Sequence, residues 1–261
     1  MQTVELMAAG LVTAGAAAGG ASAYVALPDR PFLPTGHAHN DYKHRRPLHT
    51  ALRYGYGSVE ADVFPVDGEL LVAHGRFGCG VDRTLRRLYL DPLAARYRRR
   101  GFIHNGQTLQ LLIDLKRDPQ ACLRILKAQL AGYHGMLSTV VDGEIRHGAV
   151  TVVLTGHRIP YKTAARVANV FCDGRLSTMD NHKPELTPLV SLPYKRSTAR
   201  AAIDAVHATG RRVRFFGLPP WPFAHRAWCE LIEGGADYIS ADQLRTYAAF
   251  CRTVTTAARA A

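Results

Sequence analysis

A chain of 261 residues with 47% hydrophobic content has the apolar material for one large domain with a substantial core, although length alone also admits two smaller ones. Its five cysteines are odd in number and widely spaced, which excludes a complete disulfide framework and any zinc-ligand spacing. The formal charge of +12 suits an anionic partner, whether a polyanion, a membrane surface or a phosphorylated substrate, but the basic residues are scattered and no nucleic-acid-binding signature is present, so nucleic acid is not expected.

The chain opens on an Ala/Gly-rich run over residues 6–26 that closes near A-S-A at 21–23, in the manner of a secretory cleavage site. It carries Glu5 where a signal peptide has basic residues. Two readings therefore stand side by side: a signal that sends the protein to the cell envelope or outside, or a disordered or loosely helical leader on a cytoplasmic protein. Pro28, Pro31 and Pro34 make 27–34 an extended linker. The expected organisation is leader and linker over 1–34 and one folded domain over 35–261.

A short strand is predicted at 35–38, then a helix at 47–54 with Pro47 in its first turn and Gly55 as its stop. Strand 57–64 follows, and Asp67-Gly68 turns it into a return strand at 70–73. Residues 76–106 are glycine-punctuated and basic, with a helix at 93–100. Beyond them come a strand at 109–115, a helix at 119–132, and strands at 150–154, 167–172, 189–192, 213–216 and 237–240. Helices at 198–209 and 224–233 separate the last three. Leaving the return strand aside, the strands are continuously apolar rather than alternating, as a parallel sheet buried on both faces requires. Eight βα units in about 225 residues predict a single (β/α)8 TIM barrel. The alternative is a doubly wound open sheet, but no G-x-G-x-x-G loop follows any strand.

Polar residues collect just after these strands, where such a barrel carries its active site. In S-V-E-A-D-V, Glu60 and Asp62 point to one face while Val59, Ala61 and Val63 point to the other. Two acids on one face of a buried strand repel each other unless a cation lies between them, and carboxylate oxygens suit Mg²⁺ or Ca²⁺. The plainer reading is an edge strand with solvated acids, which the apolar flanks weigh against. With the strands placed, His39, Asn40, Glu60, Asp62, His74, Asp114 and Lys116 gather at the mouth of the first three units.

That ordered set, H-N, then E-x-D, then a histidine about a dozen residues on, then an acid two before a lysine, resembles the phosphatidylinositol-phospholipase-C-like phosphodiesterases, which include the glycerophosphodiester phosphodiesterases. Within that superfamily the words G-H-A-H-N-D-Y, S-V-E-A-D-V, D-G-E-L-L-V-A-H, L-Q-L-L-I-D-L-K and G-A-D-Y-I-S-A-D are similar to the altered inheritance of mitochondria protein 6-like proteins, over nearly the whole chain after the leader. The resemblance implies a metal-dependent phosphoric diester hydrolase of lipid metabolism, acting on a glycerophosphodiester- or phospholipid-like substrate. It implies Glu60, Asp62 and Asp114 as anionic ligands of one divalent cation, with Asn40 lending an amide oxygen. His39 and His74 would be the acid–base pair, and Lys116 would hold a non-bridging phosphate oxygen. Arg214 is expected on the substrate. Asp114 replaces the more common glutamate, one methylene longer.

Other residues are open to two readings. His37 either shapes the first strand or ligates, and His74 is an active-site base or a hydrogen-bonded core histidine. His157, Asp173, Asn181, His182 and Asp242 follow later strands as substrate contacts or as ordinary turn formers. Trp221 and Phe223 in P-P-W-P-F either line a lipid or head-group pocket or pack over the barrel rim, and with the first reading goes a peripheral membrane contact. H-A-H also opens the metal-dependent amidohydrolases on barrels, for which Asp242 would suit, but no histidine follows strand six and the E-x-D pair would be idle. A non-catalytic barrel binding a phosphorylated ligand is the third possibility, and an intact acid–base pair argues against it.

Overall fold

The computed structural model describes residues 30–75, 78 and 80–260, with side chains to 254. The Ala/Gly-rich leader and the start of the linker lie outside the described residues, as does Cys79.

Eight parallel strands close on themselves: β1 (Leu33–Ala38), β2 (Tyr56–Val66), β4 (Leu109–Leu115), β7 (Val150–Gly156), β8 (Val170–Gly174), β9 (Leu189–Pro193), β10 (Arg212–Phe216) and β11 (Tyr238–Ala241). Closure runs through β1, which pairs with both β2 and β11. The fold is therefore the predicted (β/α)8 barrel. The return strand β3 (Glu69–Val72) pairs antiparallel with β2 around Asp67 and Gly68, whose φ values of 46° and 80° are those a tight two-residue hairpin demands.

Strand parity sorts the side chains. On β2, Val59, Ala61 and Val63 join the core beneath the helices, while Ser58, Glu60 and Asp62 are buried on the barrel's inside. The interior is apolar at one level, where Leu112, Val153, Phe171, Leu189 and Tyr238 form their own cluster, and polar nearer the C-terminal mouth. Packing thus excludes water below the mouth and leaves the polar groups above facing one another.

Boundaries moved where tertiary contacts overrode local pattern. The strand predicted at 167–172 is β8, three residues later at its start, because the Val170 N–H turns back onto the carbonyl of Val167. A short hairpin, β5 (Thr139–Val141) with β6 (Glu144–Arg146), was not predicted, and neither was the C-terminal helix Leu244–Ala260. A π-helical turn, Arg86–Leu90, leads into the helix Asp91–Arg100. Among the described residues no helix is long and apolar enough to cross a membrane.

Candidate active site

Register brings the acids together. Asp62 on β2 stands directly beside Asp114 on β4, and Glu60 lies two residues below Asp62 on the same inward face. One oxygen from each of Glu60, Asp62 and Asp114 falls within 4.8 Å of the others. Two cations already lean on this group: Lys116 Nζ lies 2.7 Å from Asp114 Oδ2 and 3.0 Å from Asp62 Oδ2, and Arg214 Nη1 donates to Glu60 Oε2 at 2.8 Å. Burial pushes the Glu60 carboxyl up, but the Arg214 charge and the hydrogen bond and charge of His37 outweigh it and hold the group well below the usual carboxylate range. Asp62 is raised by burial, against the pull of Tyr42 and Lys116.

Asp62 Oδ1 and Asp114 Oδ1 are buried with no hydrogen-bond partner. Three carboxylates against two cations leave a negative excess, and two of the carboxylates each have one buried oxygen without a partner. A buried anionic oxygen without a partner is costly, and a hard divalent ion with an oxygen shell removes that cost. The residues present fit Mg²⁺ or Ca²⁺.

On one flank, His39 Nδ1 lies 2.7 Å from Asp242 Oδ1 across 203 residues of chain. Burial lowers the basicity of the His39 imidazole, but the Asp242 hydrogen bond and the Glu60 and Asp242 charges overcome it, so its pKa is raised. His74 stands on the other flank, its Nδ1 3.0 Å from the Tyr42 hydroxyl and 3.4 Å from Asp62 Oδ2. Tyr42 also lies 2.6 Å from Asn40 Oδ1 and 2.7 Å from Asp62 Oδ2, and Asn40 Nδ2 lies 3.2 Å from the His39 ring. A polar chain, His39–Asn40–Tyr42–His74, therefore runs along the acids. Asn40 enters it with a left-handed φ of 49°, a conformation asparagine tolerates better than most residues.

Placement refines several expectations. Asn40 Oδ1 is engaged by the Tyr42 hydroxyl, and Lys116 sits between two carboxylates. Arg214, expected on the substrate, is buried: its Nε donates to Ser191 Oγ at 2.9 Å and its Nη1 serves Glu60 and His37, because β10 points it into the barrel. His37 is fully buried, with Nδ1 2.7 Å from Ser58 Oγ and Nε2 2.8 Å from Glu60 Oε2, and burial with the Arg214 charge pushes its imidazole down to about 4. It is a neutral strut beneath Glu60. Trp221 edges a cleft of about 210 Å³ that also contains His39, Ser240 and Asp242. His157 and Asp173 line a smaller cavity beyond Asp114, while His182 packs on Tyr161 at 3.8 Å between ring centroids.

Three residues carried no role in the sequence reading or an ambiguous one. Tyr42 links both flanks. Asp41, whose carboxyl burial pushes up to about 7, accepts from the Leu48 N–H at 2.5 Å and from Tyr89 at 2.9 Å, and so secures the loop after β1. Asp242, which the sequence offers as a substrate contact or a turn former after the last strand, is the partner of His39. The group of carboxylates found among the described residues contains no histidine, which sets aside the amidohydrolase arrangement.

Residues 31–171, more than half of the chain, match the AIM6-like phosphodiesterase domain family. The chain belongs to that family. Two relatives of the AIM6-like group are similar along most of their length: the altered inheritance of mitochondria protein 6 homolog of Arthroderma benhamiae, 28% identical over 80% of this chain and 81% of its own, and altered inheritance of mitochondria protein 6 of Eremothecium gossypii, 28% identical over 85% and 70%. Among solved structures, the AIM6-like chain superposes on a glycerophosphodiester phosphodiesterase from Parabacteroides distasonis with a TM-score of 0.56, at 14% identity, covering 85% of this chain and 98% of that one. A calcium-dependent phosphoinositol-specific phospholipase C from a Pseudomonas species gives 0.53, at 14% identity, with 80% and 88% covered. At such identities these likenesses concern the barrel itself.

Proposed function

We propose that this AIM6-like protein is a metal-dependent phosphoric diester hydrolase acting on a small glycerophosphodiester- or phospholipid-like substrate. The observation that carries the reading is the convergence of Glu60, Asp62 and Asp114, two of which have a buried oxygen without a partner, with His39 and His74 joined to the group through Asn40 and Tyr42. Glu60, Asp62 and Asp114 would hold one divalent cation, with Asn40 as a neutral oxygen donor once Tyr42 yields it. The cation supplies charge neutralisation on the phosphate oxygens, worth several kcal/mol at the transition state.

The protein's own groups do the rest. His39, oriented through Nδ1 by Asp242, takes the proton from the attacking oxygen, that of a water or of a neighbouring substrate hydroxyl, as the new O–P bond forms. His74 gives a proton to the departing alcohol oxygen as the old P–O bond breaks, and Tyr42 fixes its ring. Lys116, held by Asp114 and Asp62, is placed to turn one N–H toward a non-bridging oxygen. If the substrate carries a free hydroxyl beside its phosphate, that hydroxyl can serve as the attacking group and yield a cyclic product.

The test is hydrolysis of a phosphodiester panel by purified protein with Mg²⁺, Ca²⁺ or chelator, with the products identified. His39→Asn and His74→Gln should each lower turnover by roughly 10²–10⁴-fold, the usual worth of a general acid or base. With His74 as the acid, the loss at His74→Gln should shrink for a phenolate leaving group, which departs without a proton. Equal losses for good and poor leaving groups at both positions would reject the assignment.

A further inference from the structure

Among the described residues, the large apolar side chains left exposed are Val66, Val81, Leu176, Trp221 and Phe223. Every one lies in a segment leaving the C-terminal end of a barrel strand: Val66 at the tip of the β2–β3 hairpin, Val81 in the loop that carries His74, Leu176 after β8, and Trp221 and Phe223 after β10. Scattered exposed apolar residues are ordinary; here they share one end of the barrel, and two of them, Trp221 and Phe223, sit two apart on one loop. We infer that this end of the barrel docks on an anionic lipid bilayer, with the 217–223 loop as its apolar anchor.

The anchor is built for exposure. Trp221 is 42% and Phe223 74% exposed, and Pro219, Pro220 and Pro222 between and before them restrict the backbone, so little conformational entropy is lost when the loop enters an interface. Trp221 stacks on buried Trp228 with centroids 5.9 Å apart, which holds its ring in place while leaving an edge open. Indole at the boundary between water and hydrocarbon is the placement its amphipathic ring prefers.

Charge selects the partner. Sheet order sets β9 and β11 on either side of β10, with β1 next after β11. The loop after β1 exposes Lys43, Arg45 and Arg46, and the loop after β9 exposes Lys195 and Arg196, of which Arg196 is paired with Glu230 at 2.8 Å. Arg175 adjoins Leu176 on the loop after β8. Acids lie among these loops too: Asp242, which is tied to His39 and lies near Lys43; Asp180 and Glu185 after β8; Asp67 beside Val66; and Asp82, paired with Arg87, beside Val81. Exposed aromatics flanked by exposed basic side chains, on a chain of formal charge +12, match an anionic leaflet rather than a neutral one. Docking in this orientation sets the barrel mouth against the bilayer.

The experiment is co-sedimentation of the full chain with vesicles of phosphatidylcholine alone or with phosphatidylserine, together with tryptophan quenching by brominated lipid. The chain has two tryptophans and Trp228 is buried, so a Trp228→Phe variant makes the signal report on Trp221 alone. Binding should require phosphatidylserine, weaken with salt and quench Trp221. Phe223→Ser should lower partitioning about tenfold. It removes a ring that is 74% exposed just before the helix Ala224–Gly234, so folding and turnover of a soluble diester should be unchanged. Neutralising Lys43, Arg45 and Arg46 to Gln should cost about fivefold per charge. Folded protein that ignores phosphatidylserine vesicles, or binds them with Trp221 unquenched or with Phe223→Ser behaving as the parent, would overturn the inference.

Discussion

At the end of β7, Gly156 holds a φ of 81° beside Asp114, and a Cβ built there would stand 1.9 Å from Asp114 Oδ1 and 2.8 Å from the carbonyl of Leu115. No real Cβ tolerates such contacts, so Gly156→Ala must move the carboxylate that the site needs. The expected outcome is a fall of at least about tenfold in divalent-ion affinity by calorimetric titration, the scale on which disturbed ligand support acts. Unchanged affinity in a folded variant would remove Asp114 from the proposed ligand set. Such dependence is invisible in sequence, where Gly156 reads as one more residue ending a strand in T-G-H. The same holds for Asp242 and Tyr42: His39 was legible from its motif, but its partner lies 203 residues away, and Tyr42 gains its meaning from Asp62 and His74, which the chain brings to it only on folding.

Strands such as Leu109–Leu115 and Val150–Gly156 were legible as apolar runs, whereas β2 and β10 interleave apolar residues with Ser58, Glu60, Asp62 and Arg214, which point into the barrel. What escaped detection had weaker local marks. The β5–β6 hairpin has three residues per strand and only Val140 and Ile145 pack partly onto the barrel, so it lacks the long apolar run that marks a strand such as Leu109–Leu115. The C-terminal helix is seeded with Thr and Val, which favour helix weakly, and its amphipathic stripe of Leu244, Tyr247, Ala248 and Cys251 declares itself only against the barrel. Helix starts were better marked. Asp118 caps the helix Pro119–Leu130, with its Oδ1 accepting from the Ala121 N–H at 3.0 Å, and Pro119 follows at the first helical position. Asp118→Ala should cost about 1–2 kcal/mol in urea unfolding, through the lost cap and through a φ of 37° that alanine tolerates poorly, whereas Asp118→Asn should retain most of the stability. Equal losses in both variants would show that the cap is not what Asp118 supplies.

Across the whole molecule, the barrel stores an imbalance that folding alone does not resolve. Hydrophobic packing closes the interior below the mouth, and closure forces Glu60, Asp62 and Asp114 into one volume with Lys116 and Arg214 as the two cations among them. In the unfolded chain these acids are apart and hydrated, so the repulsion and the two orphaned oxygens belong to the native state only. An ion that bridges them therefore binds the native state and not the unfolded one, and must stabilise the fold by mass action. At an ion concentration about 100 times its dissociation constant the gain is about 2.7 kcal/mol, enough to raise the melting temperature by several degrees. Thermal unfolding with Mg²⁺, with Ca²⁺ and with chelator should show that rise for at least one ion and its reversal by chelator. Asp62→Asn should abolish the rise, and it should also make the ion-free protein less dependent on Lys116, because the amide no longer needs an ammonium beside it. The same ion-induced rise in Asp62→Asn and the parent protein would place any bound ion elsewhere, and no rise with either ion would mean that Lys116 and Arg214 already balance the acids.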